Sequence, residues 1–281
     1  MKLLKYIMPI IFTLVAISCS DTDDTIEIVN EVEGLLKVQE ISNDNHIIEL
    51  FTKSGMLTQG YNDITIRIKD KLTQEFVNNA IITWKPMMHM TSMMHTCPKS
   101  ELSKIGGLET VYNGFIIFQM PENETEGWDL TFNYTVNGTS YEAVGDISVP
   151  MSAKKTVTVF TGTDDVKYVL ALLEPTNPEV KINDIVIGLY KMESMMSFPI
   201  VENYKINLDP RMPSMGNHSS PNNENLVYNA ISKMYHGKLS LTMTGYWKLN
   251  LILLNQNNVI LKGEEVTEAN EESSLFLELE F

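Results

Sequence analysis

The sequence predicts an all-β protein built from two tandem antiparallel β-sandwich domains. Three observations carry that expectation: short runs alternate apolar and polar residues, turn-forming residues separate the runs, and the whole pattern is written twice. Ile64, Ile66 and Ile68 alternate with polar residues, as a strand with one buried face requires. Leu130, Phe132, Tyr134 and Val136 do the same, and Asn137-Gly138 then supplies a tight hairpin turn into Tyr141 to Val149. In the second half, Leu239-Leu241-Met243 and Trp247-Leu249-Leu251 alternate likewise. No amphipathic helix is expected beyond the N-terminal segment. About seven short strands per half, joined by polar turns, point to a sandwich.

The repeat sets the domain organisation. Residues 35–150 form the first domain and 151–281 the second, with the linker at Pro150 to Lys154. Each copy opens on a hairpin, Leu35 to Phe51 turning at Asn43-Asp44-Asn45, and Lys155 to Leu173 turning at Thr163-Asp164-Asp165. Asn62-Asp63-Ile64 matches Asn183-Asp184-Ile185, and Ile81 to Pro86 matches Tyr204 to Pro210. Met90-Thr91-Ser92-Met93-Met94-His95-Thr96-Cys97-Pro98 is expected to pair with Met212 to Pro221, with one inserted residue. His95 to Tyr112 spans 17 positions, as does His218 to Tyr235; Tyr112 to Met120 spans 8, as does Tyr235 to Met243. Gly114 pairs with Gly237 and Trp128 with Trp247.

Residues 1–19 read as an export signal. Lys2 and Lys5 precede an apolar run from Tyr6 to Ser18, shorter than the roughly 20 residues that cross a bilayer. Leu14-Val15-Ala16-Ile17-Ser18-Cys19 resembles a lipobox, which makes Cys19 the expected lipidation site and places the protein in the cell envelope as an outer-membrane lipoprotein, periplasmic or surface-exposed. Residues 20–34 form an acidic tether, and Ser20-Asp21-Thr22-Asp23-Asp24 resembles a surface-export signal of Bacteroidetes lipoproteins. Loss of Lys2 and Lys5 with the signal takes the net charge from −15 to −17. That balance argues against nucleic acid and against electrostatic docking on anionic lipid, and it suits cations. Apart from Cys19 only Cys97 remains, so no internal disulfide is expected.

The chain has 17 methionines, and most of them gather with four of the five histidines in two loops or beside them. Thioether sulfur is a soft, uncharged donor that favours Cu(I) over Zn(II), Mg(II) or Ca(II), and imidazole extends the site toward Cu(II). The first-choice metal ligands are Met90, Met93 and His95 in one copy and Met212, Met215 and His218 in the other; His89 and His236 come next. Cys97 is an optional ligand, because Ser220 replaces it in the second copy. Against this stands plain packing, since methionine fills cores well; Met120 and Met243, in strand-like runs, read as core. A third reading is a soft surface for a protein partner. No phosphate loop, nucleophile elbow or carboxylate–histidine pair for acid–base work is legible, so no enzyme is expected.

The second copy, through Leu170 to Pro175, Asn183-Asp184-Ile185 and Met212-Pro213-Ser214-Met215-Gly216-Asn217-His218, resembles the YtkA-like/FixH-like domain family, whose mark is a Met-Pro-x-Met-Gly-x-His segment. The first copy looks like a divergent member, departing at Met94 as the second does at Asn217. The resemblance implies an immunoglobulin-like sandwich and copper handling outside the cytoplasm. The expected function is a membrane-anchored lipoprotein that binds copper for buffering, delivery or resistance, with a copper-donor or copper-acceptor protein as partner. The alternative is a non-catalytic surface module for protein interaction or adhesion.

Overall fold

A computed structural model of the protein describes residues 30–281. The segment expected to be an export signal, Cys19 and most of the segment expected to be an acidic tether lie outside the described residues. Among the described residues no helix is long and apolar enough to cross a membrane.

The first half runs β1 (Leu36–Ser42), β2 (His46–Thr52), β3 (Gly60–Asp70), β4 (Ile81–His89), β5 (Met94–His95), β6 (Ser103–Lys104), β7 (Val111–Phe118), β8 (Gly127–Val136) and β9 (Thr139–Ile147). The second runs β10 (Val157–Thr161), β11 (Lys167–Glu174), β12 (Ile182–Lys191), β13 (Lys205–Met212), β14 (His218–Ser219), β15 (Glu224–Asn229), β16 (Met234–Ser240), β17 (Tyr246–Leu254), β18 (Ile260–Lys262) and β19 (Phe276–Glu280). Among the described residues every pairing is antiparallel, and the fold is all-β as expected. Nine and ten strands replace the seven anticipated per half, because two-residue edge strands form inside segments that read as loops.

In the first half, β1-β2-β3-β7-β6 faces β5-β4-β8-β9. Taking β2 as strand A, the order is A-B-E-D against C′-C-F-G, the immunoglobulin arrangement. The second half repeats it as β10-β11-β12-β16-β15 and β14-β13-β17, with β18 and β19 along β17. There Lys205 pairs with Val227 and Ile206 with Leu226, joining the two sheets into one continuous ladder.

The repeat is visible in register. Ile64 lies opposite Gly114, and Ile185 opposite Gly237. Pro86 lies opposite Leu130, and Pro210 opposite Leu249. Asn137 and Gly138 both take positive φ between β8 and β9, as a two-residue hairpin turn demands. Each half closes on its own core, with Ile66, Trp84 and Phe132 in one and Ile187, Leu249 and Trp247 in the other. A third apolar cluster joins the halves: Tyr61, Phe115 and Ile117 pack against Val169, Tyr190 and Met234.

Candidate metal centre

Strand β4 organises the first methionine–histidine segment. Ile82, Trp84 and Met88 turn into the core, while Ile81, Thr83, Lys85 and His89 face outward. Met88 lies opposite Trp128 on β8 and opposite His95 on β5. Directly opposed residues share a face, so Trp128, Met88 and His95 stand in a row on the inner side. All three are buried, His95 at 5% exposure.

His95 is held in one orientation. Its Nδ1 lies 2.8 Å from the Thr96 carbonyl oxygen and 3.3 Å from Gln119 Nε2, and a ring with one proton in this pose donates from Nδ1 to the carbonyl. In that tautomer Nε2 keeps its lone pair, and 3.3 Å from it lies the thioether sulfur of Met120. The opposite tautomer sets a ring lone pair against the carbonyl oxygen at 2.8 Å, which is repulsive. Metal-bound histidines characteristically anchor their other ring nitrogen in this way. The Trp128 ring meets His95 edge-on at 5.5 Å, and its indole N–H donates to the Met120 carbonyl at 3.1 Å. Met90 packs half-buried against the same core, and its N–H donates to the Met93 carbonyl, closing the turn.

The second half rebuilds the skeleton. Met212 lies opposite His218, and the Trp247 indole donates to the Met243 carbonyl at 3.1 Å. Met212 is buried, but His218 is exposed, so this corner is more open. Met215 ends the short 3-10 turn Pro213–Met215 and is 56% exposed.

Several expectations need correction. The counterpart of Met212 is Met88, not Met90. Pro86 and Pro210 occupy equivalent rungs, so the strands align two residues earlier than the loop sequences suggest, and the intervening turn differs by one residue. Met120 packs against the first core, as expected, and makes a contact that the sequence does not disclose. It lies beyond the end of β7, where strand alternation no longer applies, and it aims its sulfur at His95. Met93 is 45% exposed on the turn, apart from the inner row. His236 is not paired with Met212: it sits on β16, separated from β13 by β15, with Nε2 2.7 Å from the Ser232 hydroxyl. Its neighbour Tyr235 faces the core, so His236 faces outward. His89 faces away from His95, on the outer side of β4, against Asp129. Cys97 is fully buried, and burial pushes its thiol well above the usual range, which withholds the thiolate a metal would need.

Among the described residues, no group of three or more His, Cys, Asp or Glu side chains is placed to hold a metal ion. The donors that do converge are imidazole and thioether, a set that fits a soft ion and suits a hard one poorly.

No family model matches the chain, and no curated protein matches it. A chimeric titin Z1Z2-Z1Z2 tandem functionalised with a GRGDS peptide from fibronectin is similar at 11% identity and a TM-score of 0.20, with 88% of this chain and 97% of that chain covered. At that TM-score the likeness carries no argument, and the immunoglobulin-like assignment rests on strand order.

Proposed function

We propose that the protein binds Cu(I) at the inner methionine–histidine corner of each half, tethered to a membrane through a lipid on Cys19, for copper buffering, delivery or resistance. The observation that supports this reading is the pair in the first half that brings the buried His95 Nε2 to 3.3 Å from Met120 Sδ. Both donors are neutral, so a monovalent ion adds one charge to the site rather than two. Thioethers resist the oxidation that removes thiolates outside the cytoplasm. Met88, opposite His95 in register, is the third donor of this reading. In the second half Met212, His218 and Met243 are the corresponding residues.

The test is a Cu(I) titration of the mature protein against a competing chelator, comparing wild type with His95→Gln and Met120→Leu. Each variant is expected to weaken uptake at least tenfold at one site. A wild-type protein that takes up no Cu(I) contradicts the proposal.

A second reading, a protein-binding surface, draws on the exposed Met93, Met94, Met195 and Met196. Their two segments meet where the Thr96 N–H donates to the Met195 carbonyl at 2.9 Å, so the soft patch spans both halves. A surface of this kind also suits docking of a copper donor.

A further inference from the structure

We infer that the β4–β5 hairpin carries a second soft-metal site on its outer face, built on His89 and Met94 and absent from the second half. The inference rests on the copper reading above, but it uses different residues on the opposite side of the sheet.

His89 and Met94 are directly opposed across β4 and β5. They therefore share a face with their β-carbons about 5 Å apart, and both are about half exposed. Met87 lies two residues before His89 on that face, opposite Asp129 on β8. The imidazole is again fixed by one nitrogen. His89 Nε2 forms a short contact with Asp129 Oδ2, so in the neutral ring Nε2–H donates to the carboxylate and Nδ1, on the face that also carries Met94, keeps its lone pair for an ion. Asp129 adds an independent sign of a cation. Its other oxygen, Oδ1, is buried and accepts no hydrogen bond among the described residues. A buried carboxylate oxygen left without a donor is costly, and a positive ion one residue away relieves that cost. Asp129 is thus a positioning residue, with His89 Nδ1 and the Met94 thioether as the ligating atoms.

The second half provides an internal control. Its equivalent of the Met87–Asp129 pair is Arg211 opposite Lys248. One step past the Met212–His218 pair, the equivalents of His89 and Met94 are Pro213 and Asn217. Two cations and no soft donor replace imidazole, thioether and carboxylate, so the outer site belongs to the first half alone.

The two histidines of the hairpin are therefore expected to bind through different nitrogens, His95 through Nε2 and His89 through Nδ1. The experiment is a titration of the mature chain with Ag(I), a redox-inert soft monovalent ion, followed by long-range 1H–15N NMR of the imidazoles. The expected result is a coordination shift at Nε2 of His95 and at Nδ1 of His89. His89→Gln or Met94→Leu is expected to remove one equivalent of Ag(I) and leave the His95 shift unchanged. Asp129→Asn is expected to weaken the His89 site by about 10- to 100-fold, as loss of an orienting partner does, without touching His95. A His95 shift with no Nδ1 shift at His89 overturns this inference and leaves the inner site standing. No shift at either histidine overturns both.

Discussion

Asn62 commits its whole amide to one turn. Its Oδ1 accepts from the Thr58 N–H at 2.9 Å, and its Nδ2 donates to the carbonyls of Thr58 and Gly60 at 2.7 and 3.0 Å. Asn183 repeats the pattern with Glu179 and Lys181. The asparagine of the Asn-Asp-Ile landmark is thus a structural clamp. Asn62→Ala and Asn183→Ala are each expected to cost about 1–3 kcal/mol, because buried turn groups lose their partners; urea denaturation measures the loss. His46, the histidine outside the methionine segments, is also structural. It sits edge-on between Tyr134 and Tyr141, with Nδ1 3.2 Å from the Tyr134 hydroxyl. Burial pushes its pKa below the usual value of 6.5, with the Asp70 carboxylate opposing. Folding thus favours the neutral ring. That stability is complete above about 6.5 and is lost as pH falls through the lower folded value. The thermal midpoint of the wild type is expected to fall more steeply between pH 7 and pH 5 than that of His46→Gln.

At the scale of the strand, alternation made Ile64-Ile66-Ile68 and Leu130-Phe132-Tyr134 legible, and the Asn137-Gly138 turn with them. It failed at the end of β4, where Pro86, Met87 and Met88 are buried in succession. With both faces covered, the period that separates inner from outer residues disappears, and Met88 could not be told from Met87 or Met90. Only the rung shared by Pro86 and Pro210 resolves the alignment. Met120 escaped for a related reason: a residue past the end of a strand obeys no period, and its partner His95 is distant in sequence. The paired glycines were legible as landmarks, but their purpose was not. A β-carbon on Gly237 would lie 2.6 Å from the Glu224 carbonyl, and one on Gly114 would lie 2.8 Å from the Trp84 ring. Gly237→Ala is therefore expected to lower the thermal midpoint, whereas Gly106→Ala, which meets open space, is not; a thermal melt of each variant checks this.

Across the whole molecule, the repeat was readable and the contact between its copies was not. Tyr61, Ile117 and Tyr190 look in sequence like ordinary strand residues, yet they bury an interface that ties the halves together. Burying such side chains is worth about 1.5–3 kcal/mol each, so the halves are expected to unfold in one calorimetric transition. Ile117→Glu, which places a charge in that cluster, is expected to split the transition in two. The coupling also sets the exposed methionines of the second half beside the His95 strand, at the Thr96–Met195 hydrogen bond. The most direct test of the copper reading is the X-ray absorption spectrum of the Cu(I)-loaded mature protein. The expected first shell contains imidazole nitrogen and thioether sulfur together, with the sulfur contribution reduced in Met88→Leu and Met120→Leu. A shell of nitrogen and oxygen alone, unchanged by either substitution, would contradict it.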